Sequence, residues 1–124
     1  MANEISISAQ LACNNGNFSS LVTPAITVNQ TNVGAGGPPA QSIPTSDTLV
    51  TGLTGLTTNG YGYIINLDPT NYVTFGPDNG AGAMIVFGKL KPGEFAIVRL
   101  APTVILRAKA DTAAVKIQVL VLED

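Results

Sequence analysis

Side chains able to do acid–base or nucleophilic chemistry near neutral pH are scarce in this sequence. It has no histidine, one cysteine and eight carboxylates scattered from Glu4 to Asp124. A Ser-His-Asp or Cys-His arrangement needs an imidazole, so both are excluded. Zinc sites of the usual Cys/His kind are excluded for the same reason. Cys13, in Ala12-Cys13-Asn14, has no second cysteine to bridge and no neighbouring base to activate it. It reads as an inert, buried or half-buried thiol near a strand end. Paired carboxylates are the remaining acid–base option, Asp68 with Asp78 or Glu94 with Asp111. Three of these four stand in turn sequences, where Asp caps its own backbone. Asp78-Asn79-Gly80 opens like a calcium loop but lacks the later oxygen ligands. Gly34-Ala35-Gly36-Gly37-Pro38-Pro39 would cradle a phosphate only between a strand and a helix with a lysine close by, and the first lysine is Lys89. Tyr61, Tyr63, Tyr72 and Phe75 could stack on a sugar or a base. In alternating strands such rings more often form core or cross-strand pairs. The expectation is a protein with no catalytic residues, no metal and no cofactor.

Charge points to a protein partner. Only 11% of residues are charged while mean hydropathy is positive. Average soluble domains carry about 25%. Much of the surface must then be Thr, Ser, Asn, Gly or apolar, which suits an assembly. The net charge of −2 gives no general attraction to nucleic acid or to anionic membrane. All six bases, Lys89, Lys91, Arg99, Arg107, Lys109 and Lys116, follow residue 88. A basic edge meeting an acidic partner surface is one reading, chance the other. The start, MANEISISAQ, lacks the pattern of a signal peptide, and no apolar run approaches the roughly 20 residues of a membrane helix.

The elements that must position these residues are strands. Ile5, Ile7, Ala9 and Leu11 alternate with Glu4, Ser6, Ser8 and Gln10, the period of a half-buried strand. Asn14 to Asn17 turns on Gly16, and Phe18 to Val28 returns, interrupted at Pro24, with Ile26 and Val28 facing inward. Residues 29–46 read as one long irregular loop suited to interaction. Asp47 to Val50 is a short strand, and Asn59-Gly60 signals a turn. The stretch from Tyr61 to Leu100 organises the rest: strands over Tyr61–Leu67, Tyr72–Phe75, Ala83–Phe87 and Phe95–Leu100. They are separated by Asp68-Pro69, Asp78-Asn79-Gly80 and a type II turn at Lys91-Pro92-Gly93-Glu94. Thr103 to Lys109 and the apolar Ala114 to Leu122 close the chain, the last read as central and covered on both faces, with another subunit as a candidate cover for its outer face. No window has a helical period. The sequence predicts a single all-β domain over 1–124, an antiparallel β-sandwich of jelly-roll-like form with about eight to nine short strands.

Four segments carry a resemblance. They are the start MANEISISAQL, YGYIINLDPTNYVTFG (61–76), FGKLKPGEFAIVRLA (87–101) and LRAKADTAAVKIQVLVLED (106–124). Together they resemble small virion structural proteins of tailed bacteriophages, of the capsid decoration or cement type; residues 29–58 lie outside the resemblance. It implies a β-sandwich on the capsid surface, made in the host cytoplasm. Such a protein would stabilise the shell as a dimer or trimer bound to the major capsid protein. A tail or head-fibre module binding host glycan is the alternative. Expected contact residues are Ile5 and Ile7 of the first strand, Gly36, Pro38 and Pro39 of the loop, and the basic Lys89, Lys91, Arg107, Lys109 and Lys116.

Overall fold

A computed structural model describes residues 3–124; Met1 and Ala2, the first residues of the resemblance, lie outside the described part. The described chain is all-β, with 13 strands in antiparallel sheets and no helix. The strands outnumber the eight to nine expected because several bends and loops also join ladders. The chain falls into two compact units, Met1–Asn32 and Val33–Asp124.

The first unit is one long hairpin. Strands β1 (Ile5–Ser8) and β2 (Leu11–Asn15) run out; β3 (Phe18–Val22) and β4 (Ala25–Val28) run back. Both ladders keep one register, from Ile5↔Val28 to Asn15↔Phe18. Gly16 has φ 60° at the first position of the two-residue loop, as a type II′ turn requires. Pro24 has no N–H, so the ladder is interrupted there, although Ala9 N–H still donates to Pro24 O at 3.1 Å.

The second unit packs two sheets over one core. One sheet orders β10 (Gly88–Leu90), β9 (Val73–Pro77), β12 (Leu106–Ala110) and β7 (Thr48–Leu49). The other orders β11 (Phe95–Arg99), β8 (Asn59–Asn66), β13 (Val115–Glu123) and β5 (Ala35–Gly36), with β6 (Gln41–Ile43) also on β13. Ile64, Val115, Ile117, Val119 and Val121 from one sheet meet Val73, Phe75, Leu90, Ala108 and Ala110 from the other, all buried. This is a sandwich-like arrangement, sustained by burial of β-branched side chains on both inner faces.

Three local expectations need correction. Asn59-Gly60 is not a turn: it opens β8, where a Cβ on Gly60 would meet Leu122 O at 2.9 Å. That glycine serves close strand approach rather than a bend. Residues 83–87 form no strand. Ile85 and Phe87 N–H groups do bond Pro77 and Phe75 carbonyls, but the ladder resumes at Gly88↔Phe75. Phe87 and Gly88 thus both oppose Phe75, the geometry of a bulge. The 29–46 segment is not wholly irregular, since β5 and β6 stitch it to β13. β13 is central as expected, and within one chain one of its faces is covered: Val115, Ile117, Val119 and Val121 are buried, while Lys116 and Leu120 on the outer face are exposed.

Candidate interaction surfaces

The hairpin sorts its residues by face. Paired positions in an antiparallel ladder share a side. Ile5, Ile7, Ala9 and Leu11 therefore lie with Val28, Ile26, Pro24 and Val22, and Phe18 joins them near the turn. Ser6, Ser8, Asn14, Ser19 and Thr27 occupy the other face, which is mostly polar but also carries Ala12, Ala25 and the exposed Leu21. Ile5 is buried and Ile7 half-buried, but Leu11 is 74% and Phe18 61% exposed, and Val22 and Ile26 are exposed too. Ile26 does not face inward as expected. Cys13, on this same face, is exposed rather than half-buried. No residue from Ile5 to Val28 is charged. The sequence alternation marks this face in the first strand; only the register adds Phe18 and Val22 to it.

The loop residues turn out to be structural as well as exposed. Gly36 pairs with Val121, and a Cβ there would meet Gly52 O at 2.5 Å. Pro38 O accepts a hydrogen bond from Val119 N–H at 2.9 Å. Pro39 is exposed.

The five basic residues do not form one surface. Register places Lys89, Thr74 and Lys109 in a row on the outer face of the first sheet, and Lys116 lies on the second sheet. Lys89 Nζ sits 3.9 Å from the centroid of the Tyr72 ring. Lys91 is exposed in the turn where Glu94 N–H donates to its carbonyl, with Gly93 at φ 80°. Arg107 already has its partners. Its Nε donates to Asp47 Oδ1 at 2.7 Å and its Nη1 to Asp78 Oδ2 at 3.2 Å. Asp78 Oδ1 also caps the Gly80 and Gly82 N–H groups, as its turn sequence implies. Arg107 thus ties β12 to two loops and is not a spare cation.

Asp47 accepts from both Arg107 and the Met84 N–H, and these hydrogen bonds hold its carboxyl below the ordinary 3.8. A depressed carboxylate stabilises the fold above its unfolded pKa, and that stabilisation disappears as pH falls through the folded value. Wild type should therefore melt higher than Asp47→Asn at about pH 7, and the gap should shrink as pH falls below 3.8 and through the folded value. A gap in melting temperature that stays constant on acidification would refute the assignment.

The tyrosines are not core. Tyr61 and Tyr63 stand half-buried on the outer face of the second sheet. Arg99 lies 5.1 Å from the Tyr61 ring centroid, and the Tyr63 and Phe95 rings are 6.2 Å apart. Ile97 pairs with Tyr63, which pairs with Leu120, giving an apolar row across three strands. The strand alternation puts these rings on one face, but which face is wet depends on the partner sheet. Among the described residues no group of three or more His, Cys, Asp or Glu side chains is placed to hold a metal ion, and no helix is long and apolar enough to cross a membrane. Fold and surfaces together define a class: an all-β antiparallel protein with an apolar hairpin and an apolar sheet face both open. No family model, curated protein or solved structure matches the chain.

Proposed function

We propose that this chain is a structural subunit of a bacteriophage particle, a decoration protein that sits on the capsid surface, binds the major capsid protein and cements the shell. The observation that carries this reading is the uncharged hairpin with an exposed apolar face. A two-stranded hairpin is marginal in water by itself. An apolar stripe left wet from Ile26 and Leu11 to Phe18 at the turn marks a surface that another protein covers. Buried on a neighbouring subunit, that stripe contributes about 25 cal/mol per Å² of apolar area removed from water, offset in part by the ordering cost of association. Lys91, Lys109 and Lys116 add cationic points for an acidic partner surface. The role needs neither catalysis nor a cofactor, and it takes its capsid identity from the resemblance at 1–11 and 61–124. A homo-oligomer on the virion surface is part of the reading.

The test uses purified shells stripped of this protein. Wild type should rebind in hundreds of copies and raise the temperature at which shells fail. A Leu11→Ser/Phe18→Ser variant should lose at least about tenfold in affinity, since two anchors near the centre of a contact typically carry that much. Full rebinding by the variant, or shells equally robust without the protein, would sink the proposal. The half-buried Tyr61 and Tyr63 favour a second reading, a fibre module that stacks host sugars. A handful of copies at one vertex, with sugar binding lost in Tyr63→Ala, would establish it instead.

A further inference from the structure

The edge of β11 is the longest open strand edge of the second unit. β11 pairs with β8 on one side, and among the described residues nothing pairs with its other side. The other terminal strands are shorter: β5 and β7 have two residues each, and β10 has three with Lys89 at its centre. Soluble proteins usually blunt an edge with lysine, proline or a bulge. β11, Phe-Ala-Ile-Val-Arg, carries none of these, and its single charge, Arg99, is paired within the chain to Asp124 at 2.6 Å.

Its hydrogen-bonding parity is readable. Asn66 N–H donates to Glu94 O at 3.0 Å and Leu100 N–H to Gly60 O at 2.9 Å. Antiparallel ladders alternate every two residues. The backbone groups of Ala96 and Val98 therefore also point to β8, and those of Phe95, Ile97 and Arg99 point outward.

We infer that β11 is a homodimer edge: two copies pair antiparallel about a two-fold axis at Ile97. A second copy fits this edge for three reasons. The first is register. With Ile97 opposite its symmetry mate, Phe95 opposes Arg99 of the other copy, and every outward N–H and C=O of the three residues meets a partner. The second is side-chain complementarity. Phe95 is 59% exposed, and the two-fold sets it beside a guanidinium that already lies over one aromatic ring, Tyr61. The Ile97–Tyr63–Leu120 row continues into the same row of the second copy. The third is the inner side. A cavity of about 190 Å³, lined almost wholly by apolar side chains including Phe75, Phe87, Val98, Val104 and Leu106, opens beside β11. Phe87 at its rim is 74% exposed. The two-fold brings Ala96 and Val98 of the second copy to that opening. Two phenylalanines with Ile97, Val98 and Arg99 from each copy put roughly 1,000 Å² within the contact, the lower bound for a specific interface.

This deepens the homo-oligomer part of the proposed function. It is read on the isolated chain without shells, and the hairpin substitutions leave β11 untouched, so the two can fail separately. The experiment is sedimentation equilibrium over a concentration series, with amide exchange at matched concentrations. Wild type should reach twice 12.7 kDa, and the Phe95, Ile97 and Arg99 amides should exchange at least about tenfold more slowly in the dimer than on dilution. Ile97→Lys puts like charges directly opposite each other and should sediment as a monomer with an unchanged circular dichroism spectrum. Three results would overturn the inference. They are a wild-type chain monomeric throughout, an oligomer that Leu11→Ser/Phe18→Ser dissolves and Ile97→Lys does not, and a dimer in which those three amides stay unprotected.

Discussion

Asn66→Leu should destabilise the protein by about 2–4 kcal/mol, because leucine removes three hydrogen bonds and offers no replacement for buried partners. Asn66 is fully buried at the end of β8. Its Nδ2 donates to Asn71 O at 2.9 Å and Leu90 O at 3.0 Å, and its Oδ1 accepts from Asp68 N–H at 2.8 Å. One side chain thus joins the 66–71 turn to β10, across the two sheets. Leucine has the same branching and heavy-atom count but bulkier methyl ends, so it leaves no room for a water to take over the lost bonds. Asp68 Oδ2 still accepts from Thr70 and Asn71 N–H groups, so the turn keeps its own cap while losing its anchor. Urea unfolding should show a lower midpoint with an unchanged slope. A midpoint within error of wild type would mean the turn is held by its own cap alone.

Ile117→Ala should cost about 3–5 kcal/mol, the range for deleting a large aliphatic side chain from a rigid core. Ile117 has no exposed surface and sits mid-strand in β13, flanked by Asn66 of β8 and Gln41 of β6. Both flanking strands hold the backbone, so the cavity cannot collapse. Lys116→Ala, one residue away on the exposed face, should change stability by no more than about 0.5 kcal/mol. The pair tests the one-sided burial of β13 directly. Equal losses at both positions would mean the outer face is covered after all.

Local chemistry accounts for what was legible in the chain. Alternation over 4–11, the glycines at 16, 80 and 93 and the Asp caps at 68 and 78 each act within a few residues, so their types announce their structure. An all-β antiparallel protein without histidine chemistry follows from such signals alone. Asn59-Gly60 misleads because the same dipeptide serves a tight turn or a close strand approach, and only the presence of Leu122 O beside it decides which. Residues 29–46 look irregular because their strand partners lie about eighty positions away on β13. The two faces of β13 are alike in the sequence because an apolar residue can be written for a core or for another protein, and only the second sheet shows which face one chain leaves open. The sites differ in the same way. Arg107 is one base among six in the sequence; folding delivers Asp47 and Asp78 to it and takes it out of any surface patch. Residue order determines the all-β class, the strand alternation and the self-capped turns, because these depend on neighbouring atoms. Tertiary structure alone decides which apolar face is core and which stays exposed, because burial depends on what distant segments bring to that face.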